Sequence, residues 1–331
     1  MAESSTTQVL RIDVAAEVER TTAAIRETVF NRLKRRGAVV GVSGGIDSTV
    51  VAFLCARALG KDRVIALFTP EADSSPDSLR LGRMVADQLQ VRSFVEDVSP
   101  ILRGARCYER RDEAVRSLVP EYGAGWKMKI VLPGILDPQR YALFSMVVQS
   151  PAGETRKVRL TADAYLAILA STNFKQRSRK MIEYHYADRF NYAVAGTPNR
   201  LEYELGFFVK NGDGSADFKP IAHLYKTQVY QLAEYLGVPE EIRRRPPTTD
   251  TYSLEQTQEE FFFSVPLHVM DLCLYGYDHP MTPAQLAPMT GLTEEQVGRV
   301  YQTIESKRNM AQYLHAPPML VEPVGASNGR P

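Results

Sequence analysis

The sequence predicts an α/β protein with a doubly wound parallel sheet, flanking helices, an inserted β meander and a C-terminal helical segment. Three observations predict this class. Strand-like apolar runs alternate with helical patterns over 13–98, a loop of small residues follows the first run, and the pattern changes to short strand-like runs over 124–160. Alternating strands and helices are typical of parallel sheets, whose ligands bind at the carboxyl ends of the strands.

The first part of the chain supplies the sheet. Apolar residues from Val14 to Leu33 recur at spacings of three, four or seven and predict an amphipathic helix over 13–36, which Gly37 ends. Ser75 and Pro76 have the character of a helix cap and first helical position. The strands are predicted at 38–43, 63–69 and 92–98.

The later part continues the same pattern after an interruption. Residues 124–160 predict a meander or hairpin that is a lid, a dimer contact or a decoration, and the sequence does not decide among these. Further elements are a helix over 163–192, a strand over 193–197, a helix over 221–237 and two helices over 282–312 joined at Gly291. We therefore expect a single domain over 1–316 and a loose tail over 317–331.

Composition limits the classes of function. Hydrophobic residues make up 44% of the 331 residues, and the longest apolar runs fall short of a bilayer span. The amino-terminal residues lack a basic region followed by an apolar core, so we expect a cytoplasmic protein without a signal peptide. A formal net charge of +1 argues against general nucleic-acid binding. The three cysteines and five histidines have no metal-ligand spacing.

The loop that follows the first strand is the main candidate for chemistry. Its residues are Gly41, Val42, Ser43, Gly44, Gly45, Ile46, Asp47 and Ser48. Such a loop directs backbone N–H groups and the positive end of the next helix at one point, which suits a phosphate or pyrophosphate. Asp47 would repel a bare phosphate, so we interpret it as a ligand of Mg²⁺. The alternative to an anion-binding loop is an ordinary tight turn.

A second motif suggests DNA binding only superficially. Residues 286–301 resemble a helix-turn-helix, but Glu294 and Glu295 would stand at the end that meets phosphate. Like charges there oppose binding to a polyanion. We therefore disfavour DNA recognition.

Four ordered motifs carry a resemblance. They are SGGIDS at 43–48, NFKQRSRKM at 173–181, GTPNRLEYELGFFVKNGDGSADFKP at 196–220 and the pair LYKTQVYQLAEYLGVPEEI and PPTTD within 224–250. Together they resemble the NAD synthetase family of the ATP pyrophosphatase group, which has an adenine nucleotide alpha-hydrolase-like fold. The resemblance implies a ligase that adenylates deamido-NAD with ATP and Mg²⁺ and then amidates it with ammonia. It also implies a homodimer.

The resemblance also implies roles for residues at the matching positions. Glu202 would join Asp47 in binding the metal. Thr197, Lys226 and Thr248 would contact ATP together with the loop. Deamido-NAD would be held by cationic or hydrogen-bonding side chains, and the matching residues are Arg177, Lys210, Asp217 and Lys307. Each of these residues could instead have a purely structural role, as a surface charge or a turn residue. For Lys226 the alternative is an exposed helix lysine off the apolar face.

The implied reaction assigns one further residue. Pyrophosphate must leave the α-phosphorus of ATP, so Lys226 is a catalytic candidate. Ammonium must then lose a proton, and we assign Asp213 to accept it. No glutaminase module is visible, which implies free ammonia or ammonia from a separate protein.

Several residues depart from the family pattern. Ser306 replaces a common histidine, Pro198 and Asn199 replace an Asp-His pair, and 250–280 is altered. These departures leave open a related ligase for another carboxylic acid, or a non-catalytic ATP-binding protein. A tRNA-modifying relative is disfavoured by the near-neutral charge and the lack of paired catalytic cysteines.

Overall fold

A parallel sheet of four strands forms the centre of the computed structural model, which describes residues 8–132, 144–249 and 251–322. The strands are β1 (Ala38–Gly41), β2 (Val64–Phe68), β3 (Arg92–Val95) and β7 (Ala193–Ala195), in the order β3-β2-β1-β7. Val39 of β1 is in register with Ile65 of β2 and Val194 of β7. The predicted parallel α/β class is confirmed, although β1 and β3 are shorter than expected.

Helices cover both faces of this sheet. One face packs against α1 (Val14–Arg26, continued as a π-helix over Glu27–Arg32), α2 (Ile46–Leu59), α3 (Pro76–Leu89) and α8 (Lys226–Tyr235). The other face packs against α6 (Ala162–Phe190), where Tyr186 meets Val39 and Val194. The β-branched strand residues are buried on both faces, as expected for a doubly wound sheet.

The interruption between β3 and α6 contains helices and a separate sheet. The helices α4 (Ser99–Gly104) and α5 (Cys107–Arg116) were not predicted. The strands β4 (Lys127–Val131), β5 (Ser145–Gln149) and β6 (Thr155–Arg159) form an antiparallel meander. It was predicted over 124–160, and its stretch 133–143 lies outside the described residues. Met128, Ile130 and Met146 form its own buried core.

The C-terminal part is helical and carries a separate apolar cluster. It comprises α7 (Arg200–Leu205), α9 (Glu240–Arg244), a π-helix over Glu259–Phe263, α10 (Leu267–Asp278), α11 (Pro283–Thr290) and α12 (Glu294–His315). Gly291 separates α11 from α12 with a φ of 71°, as the sequence predicted. The predicted helix over 221–237 begins only at Lys226, because residues 221–225 form turns. Among the described residues, every helix is too short or too polar to cross a membrane.

Candidate active site

The small-residue loop lies between β1 and α2, at the carboxyl edge of the parallel sheet. Gly44 has a φ of 76°, and a Cβ there would lie 2.7 Å from the Ser78 carbonyl oxygen, so only glycine fits. The Ser48 hydroxyl accepts a hydrogen bond from the Ser43 amide at 3.2 Å and donates to the Gly45 carbonyl at 3.1 Å. These contacts fix the loop without using the amides of the α2 amino end, which can therefore bind an anion.

The loop forms one end of a cavity of about 770 Å³. Of the loop residues, all except Gly44 line it, and Thr197, Glu202 and Thr248 line the same space. Arg177, Lys210 and Asp213 also line this cavity. The structure therefore brings most of the predicted nucleotide and substrate residues to one cavity, with cationic side chains available for an anionic ligand.

Lys226 is buried beneath this cavity. Its side chain is 1% exposed, and its ammonium contacts the Asp47 carboxylate. Burial opposes the charge on Lys226, but Asp47 and Glu202 outweigh burial and raise its pKa. The alternative of an exposed helix lysine is wrong, and the lysine is charged next to the predicted metal carboxylates.

Glu202 stands beside Asp47 because α7 begins with a capping box. The Asn199 side chain accepts from the Glu202 amide, and Glu202 accepts from the Asn199 amide, both at 3.2 Å. The Asn199 side-chain amide also donates to Asp47 Oδ1 at 3.0 Å. Burial, and then the charge of Asp47, raise the pKa of Glu202 to about 8, although Lys226 lowers it.

This pair of carboxylates suits a magnesium ion. Mg²⁺ is usually held by one or two carboxylates, with waters and phosphate oxygens completing its coordination. A second cation beside Lys226 would relieve the repulsion that raises the Glu202 pKa. Among the described residues, no group of three or more His, Cys, Asp or Glu side chains forms a fuller metal site. The donor set fits a metal that also binds a substrate phosphate.

The sequence did not predict the contacts that Asn199, Asp271 and Gln258 make with the charged residues of the site. Asp271 of α10 caps α8 by accepting from the Lys226 amide at 3.1 Å and the Thr227 amide at 2.7 Å. Gln258 donates to Glu202 Oε1 at 2.9 Å. Of these three residues, only Asn199 is marked by a sequence pattern, because Asn three residues before Glu is typical of a helix cap. Asp271 and Gln258 reach the site from distant parts of the chain.

Asp213 lines the same cavity and accepts a hydrogen bond from the Val209 amide at 2.8 Å. Burial raises the pKa of Asp213, although the Val209 amide and Lys180 act in the opposite direction. A carboxylate with a raised pKa is a better proton acceptor near neutral pH than an ordinary aspartate. The environment therefore suits the predicted acceptor of a proton from ammonium.

The four predicted deamido-NAD residues differ in their surroundings. Arg177 and Lys210 line the cavity, and Lys210 also donates to the Tyr313 carbonyl at 2.7 Å. Asp217 does not line it; its carboxylate accepts from the Val194 amide at 2.7 Å and from the Tyr184 hydroxyl at 3.3 Å. Lys307 is buried and donates to the Phe262 carbonyl at 2.9 Å. The roles of all four stay predictions.

Comparison with known proteins decides the family. The family model described as NAD synthase matches residues 17–119 and 151–312. This chain belongs to the NAD synthase family. The match leaves out 120–150, which contain β4 and β5, whereas β6 lies within the matched residues.

Relatives named NH(3)-dependent NAD(+) synthetase align with nearly the whole of this NAD synthase family chain. The one from Mesorhizobium japonicum is 57% identical over 316 residues, covering 96% of this chain and 99% of the relative. The one from Rhizobium rhizogenes is 55% identical over 315 residues, covering 95% of each.

Solved structures share the NAD synthase fold. The NH3-dependent NAD synthetase of Campylobacter jejuni has a TM-score of 0.62 and 21% identity, covering 94% of this chain and 100% of that chain. The NMN synthetase of Francisella tularensis has a TM-score of 0.63 and 18% identity, covering 94% and 99%. At these identities the likeness concerns the fold alone.

Proposed function

We propose that this protein is an ammonia-dependent ligase that makes NAD from deamido-NAD, ATP and ammonia and releases AMP and pyrophosphate. One observation carries the proposal: Asp47, Glu202 and the anion loop line the same cavity as Arg177 and Asp213. Relatives with this named activity are 55% to 57% identical over nearly the whole chain.

The first step is transfer of AMP to the substrate carboxylate. The carboxylate oxygen attacks the α-phosphorus, and pyrophosphate leaves with added negative charge. Loop amides and the α2 amino end face this charge, and Lys226 adds a cation from below. Asp47 and Glu202 would hold Mg²⁺, which when bound neutralises phosphate charge. AMP transfer removes the negative charge that protects the acid from nucleophiles.

The second step is attack by ammonia on the acyl carbon, with AMP as the leaving group. Ammonium cannot attack because its nitrogen lone pair carries a proton. Asp213, which lines the cavity, would bind ammonium and take that proton. Its raised pKa makes the carboxylate a better proton acceptor. Ammonia comes free from solution or from a separate donating protein.

We further propose a cytoplasmic homodimer. The support for the dimer is a set of large apolar side chains that are exposed in the single chain, among them Leu166 and Met181 on α6. Light scattering coupled to size exclusion would measure the mass, and a monomer at micromolar concentration would contradict the dimer.

The function is tested by supplying ATP, MgCl₂ and an ammonium salt and varying the acid. We expect pyrophosphate and NAD to form in equal amounts with deamido-NAD, and much less pyrophosphate with nicotinic acid mononucleotide or with no acid. Faster turnover of another acid would assign the chain to a related amide ligase. Binding of ATP without pyrophosphate release would make it a non-catalytic ATP-binding protein.

The metal is tested in the same assay. Removal of Mg²⁺ by a chelator and the substitution Asp47→Ala are each expected to abolish pyrophosphate release. Asp62→Ala serves as the control because Asp62 lies in the turn after α2, outside the cavity lining. Normal release by Asp47→Ala would refute the metal role.

A further inference from the structure

The loop that closes one side of the cavity is built around four threonines. We call residues 247–249 and 251–258 the threonine loop. Thr248 pairs with Thr257 in an antiparallel bridge, and the Thr249 amide donates to the Gln256 carbonyl at 3.1 Å. Thr248 and Thr249 line the cavity, and Gln258 at the end of the loop donates to Glu202. The position of this loop therefore affects both the nucleotide end and a metal carboxylate.

The added strand β4 runs along this loop and bonds to it. The Leu254 amide donates to the Met128 carbonyl at 3.1 Å, and the Met128 amide donates to the Ser253 hydroxyl at 2.9 Å. The Gln256 side chain, 3% exposed, donates to the Ile130 carbonyl at 2.5 Å. Ser253, Leu254 and Gln256 are thus fixed to one edge of the meander.

Lys129 makes a further attachment from the outer face of β4. Its ammonium donates to the Glu255 carbonyl at 3.2 Å and forms an ion pair with Glu260 at 2.8 Å. Lys127 lies two residues earlier in the same strand, is exposed, and has no ion pair within the described stretches. The two lysines share a strand face, but only Lys129 reaches the loop region.

Apolar packing and a buried cation complete the attachment. Tyr252 is 4% exposed and belongs to the meander core with Met128 and Ile130. On the other side, the Lys175 ammonium of α6 donates to the Thr251 carbonyl at 2.7 Å. The threonine loop is therefore held between β4 and α6.

We propose that the meander serves as a support for the active site: β4 holds the threonine loop over the nucleotide end of the cavity, with Lys129 and Gln256 as positioning residues. The inference rests on the proposed function. β4, the strand that bonds to the loop, lies in the stretch 120–150 that the family model does not match, whereas the threonine loop lies within the match. Loss of the support should weaken ATP use more than deamido-NAD use, since Thr248 lies at the nucleotide end.

The test compares Lys129→Ala and Gln256→Ala with Lys127→Ala as the matched control. Initial rates of pyrophosphate release give the KM for ATP and the KM for deamido-NAD separately. We expect the KM for ATP to rise about three- to ten-fold in the two test variants, the size of one lost hydrogen bond or ion pair, and the KM for deamido-NAD to change less than about two-fold. Lys129→Arg should restore the KM for ATP.

A second measurement does not depend on catalysis. A glutamyl endopeptidase can cut after the exposed Glu255, and the cleavage rate of the native protein reports opening of the loop. We expect faster cleavage in Lys129→Ala and Gln256→Ala, and the unchanged rate in Lys127→Ala. If the unmodified enzyme lacked pyrophosphate release with deamido-NAD, the proposed function would fail while this measurement still tested the support.

Three outcomes would overturn the support role. One is a cleavage rate and KM for ATP in both test variants equal to those of Lys127→Ala. Another is a lowered melting temperature with an unchanged KM for ATP, which would make the contacts merely structural. The last is an equal rise in both KM values, which would remove the link to the nucleotide end.

Discussion

Lys226 and Asp47 are in direct contact although 179 residues separate them in the chain. Lys226 begins α8 and Asp47 lies in the first turn of α2, so the contact joins two helices that pack on the same face of the sheet. The ammonium and the carboxylate nearly neutralise each other, and Glu202 adds a second carboxylate. Because the pKa of Glu202 is raised to about 8, this second carboxylate would ionise when a metal binds, and the metal would balance its negative charge.

Replacing Lys226 by methionine should slow pyrophosphate release by about 100-fold or more, because the departing charge loses a preorganised cation. Initial rates at saturating ATP would measure the loss. Lys157→Met is the control, since Lys157 is exposed on β6, and its rate should match that of the unmodified enzyme. Equal rates in the two variants would remove Lys226 from the mechanism.

Asp213→Asn should separate the two steps. Amide formation should fall about 100-fold because the proton acceptor is lost. Exchange of labelled pyrophosphate into ATP reports only the first step and should fall less than about three-fold, since an amide side chain is nearly isosteric with the carboxylate. Asp188→Asn, at an exposed position of α6, is the control. Equal losses in both assays would place Asp213 outside the ammonia step.

Lys307 should give the protein a measurable dependence of stability on pH. Burial lowers the pKa of Lys307 to about 7, while an unfolded lysine titrates at about 10.4. Between these values the unfolded state binds more protons, so the free energy of unfolding rises with pH across that window.

The variant Lys307→Met isolates this contribution. Between pH 7 and pH 9 the free energy of unfolding of the unmodified protein should rise by about 2 kcal/mol relative to that of Lys307→Met. Urea denaturation at both pH values would measure the difference. A constant difference between the two proteins would show that Lys307 titrates normally.

Lys175→Met should destabilise the fold by about 3–5 kcal/mol, because it leaves the buried Glu71 and the partly buried Asp73 without their lysine partner. The Lys175 ammonium is bound by Glu71 at 3.0 Å and by Asp73 at 2.6 Å, and Arg111 alone would remain to balance them. Urea denaturation measures the loss, with Lys157→Met expected to stay within about 0.5 kcal/mol of the unmodified protein. A similar stability of both variants would contradict a buried charge cluster.

The sequence was informative where the cause of structure is local. The β-branched run 38–41, the glycines at 44 and 45 and the Gly291 break each act through their own backbone preferences, and all appear as predicted. The helices α4 and α5 were missed because α5 is strongly polar and carries only a few buried residues.

The sequence by itself determined the parallel α/β class, the anion loop and, through the order of its motifs, the family. Only the tertiary structure decided that Asn199, Gln258 and Asp271 hold the charged groups, and that β4 supports the threonine loop. The physical reason is that periodicity and turn preferences act between near neighbours in the chain. Hydrogen bonds and buried charge pairs join segments whose proximity depends on how every helix packs.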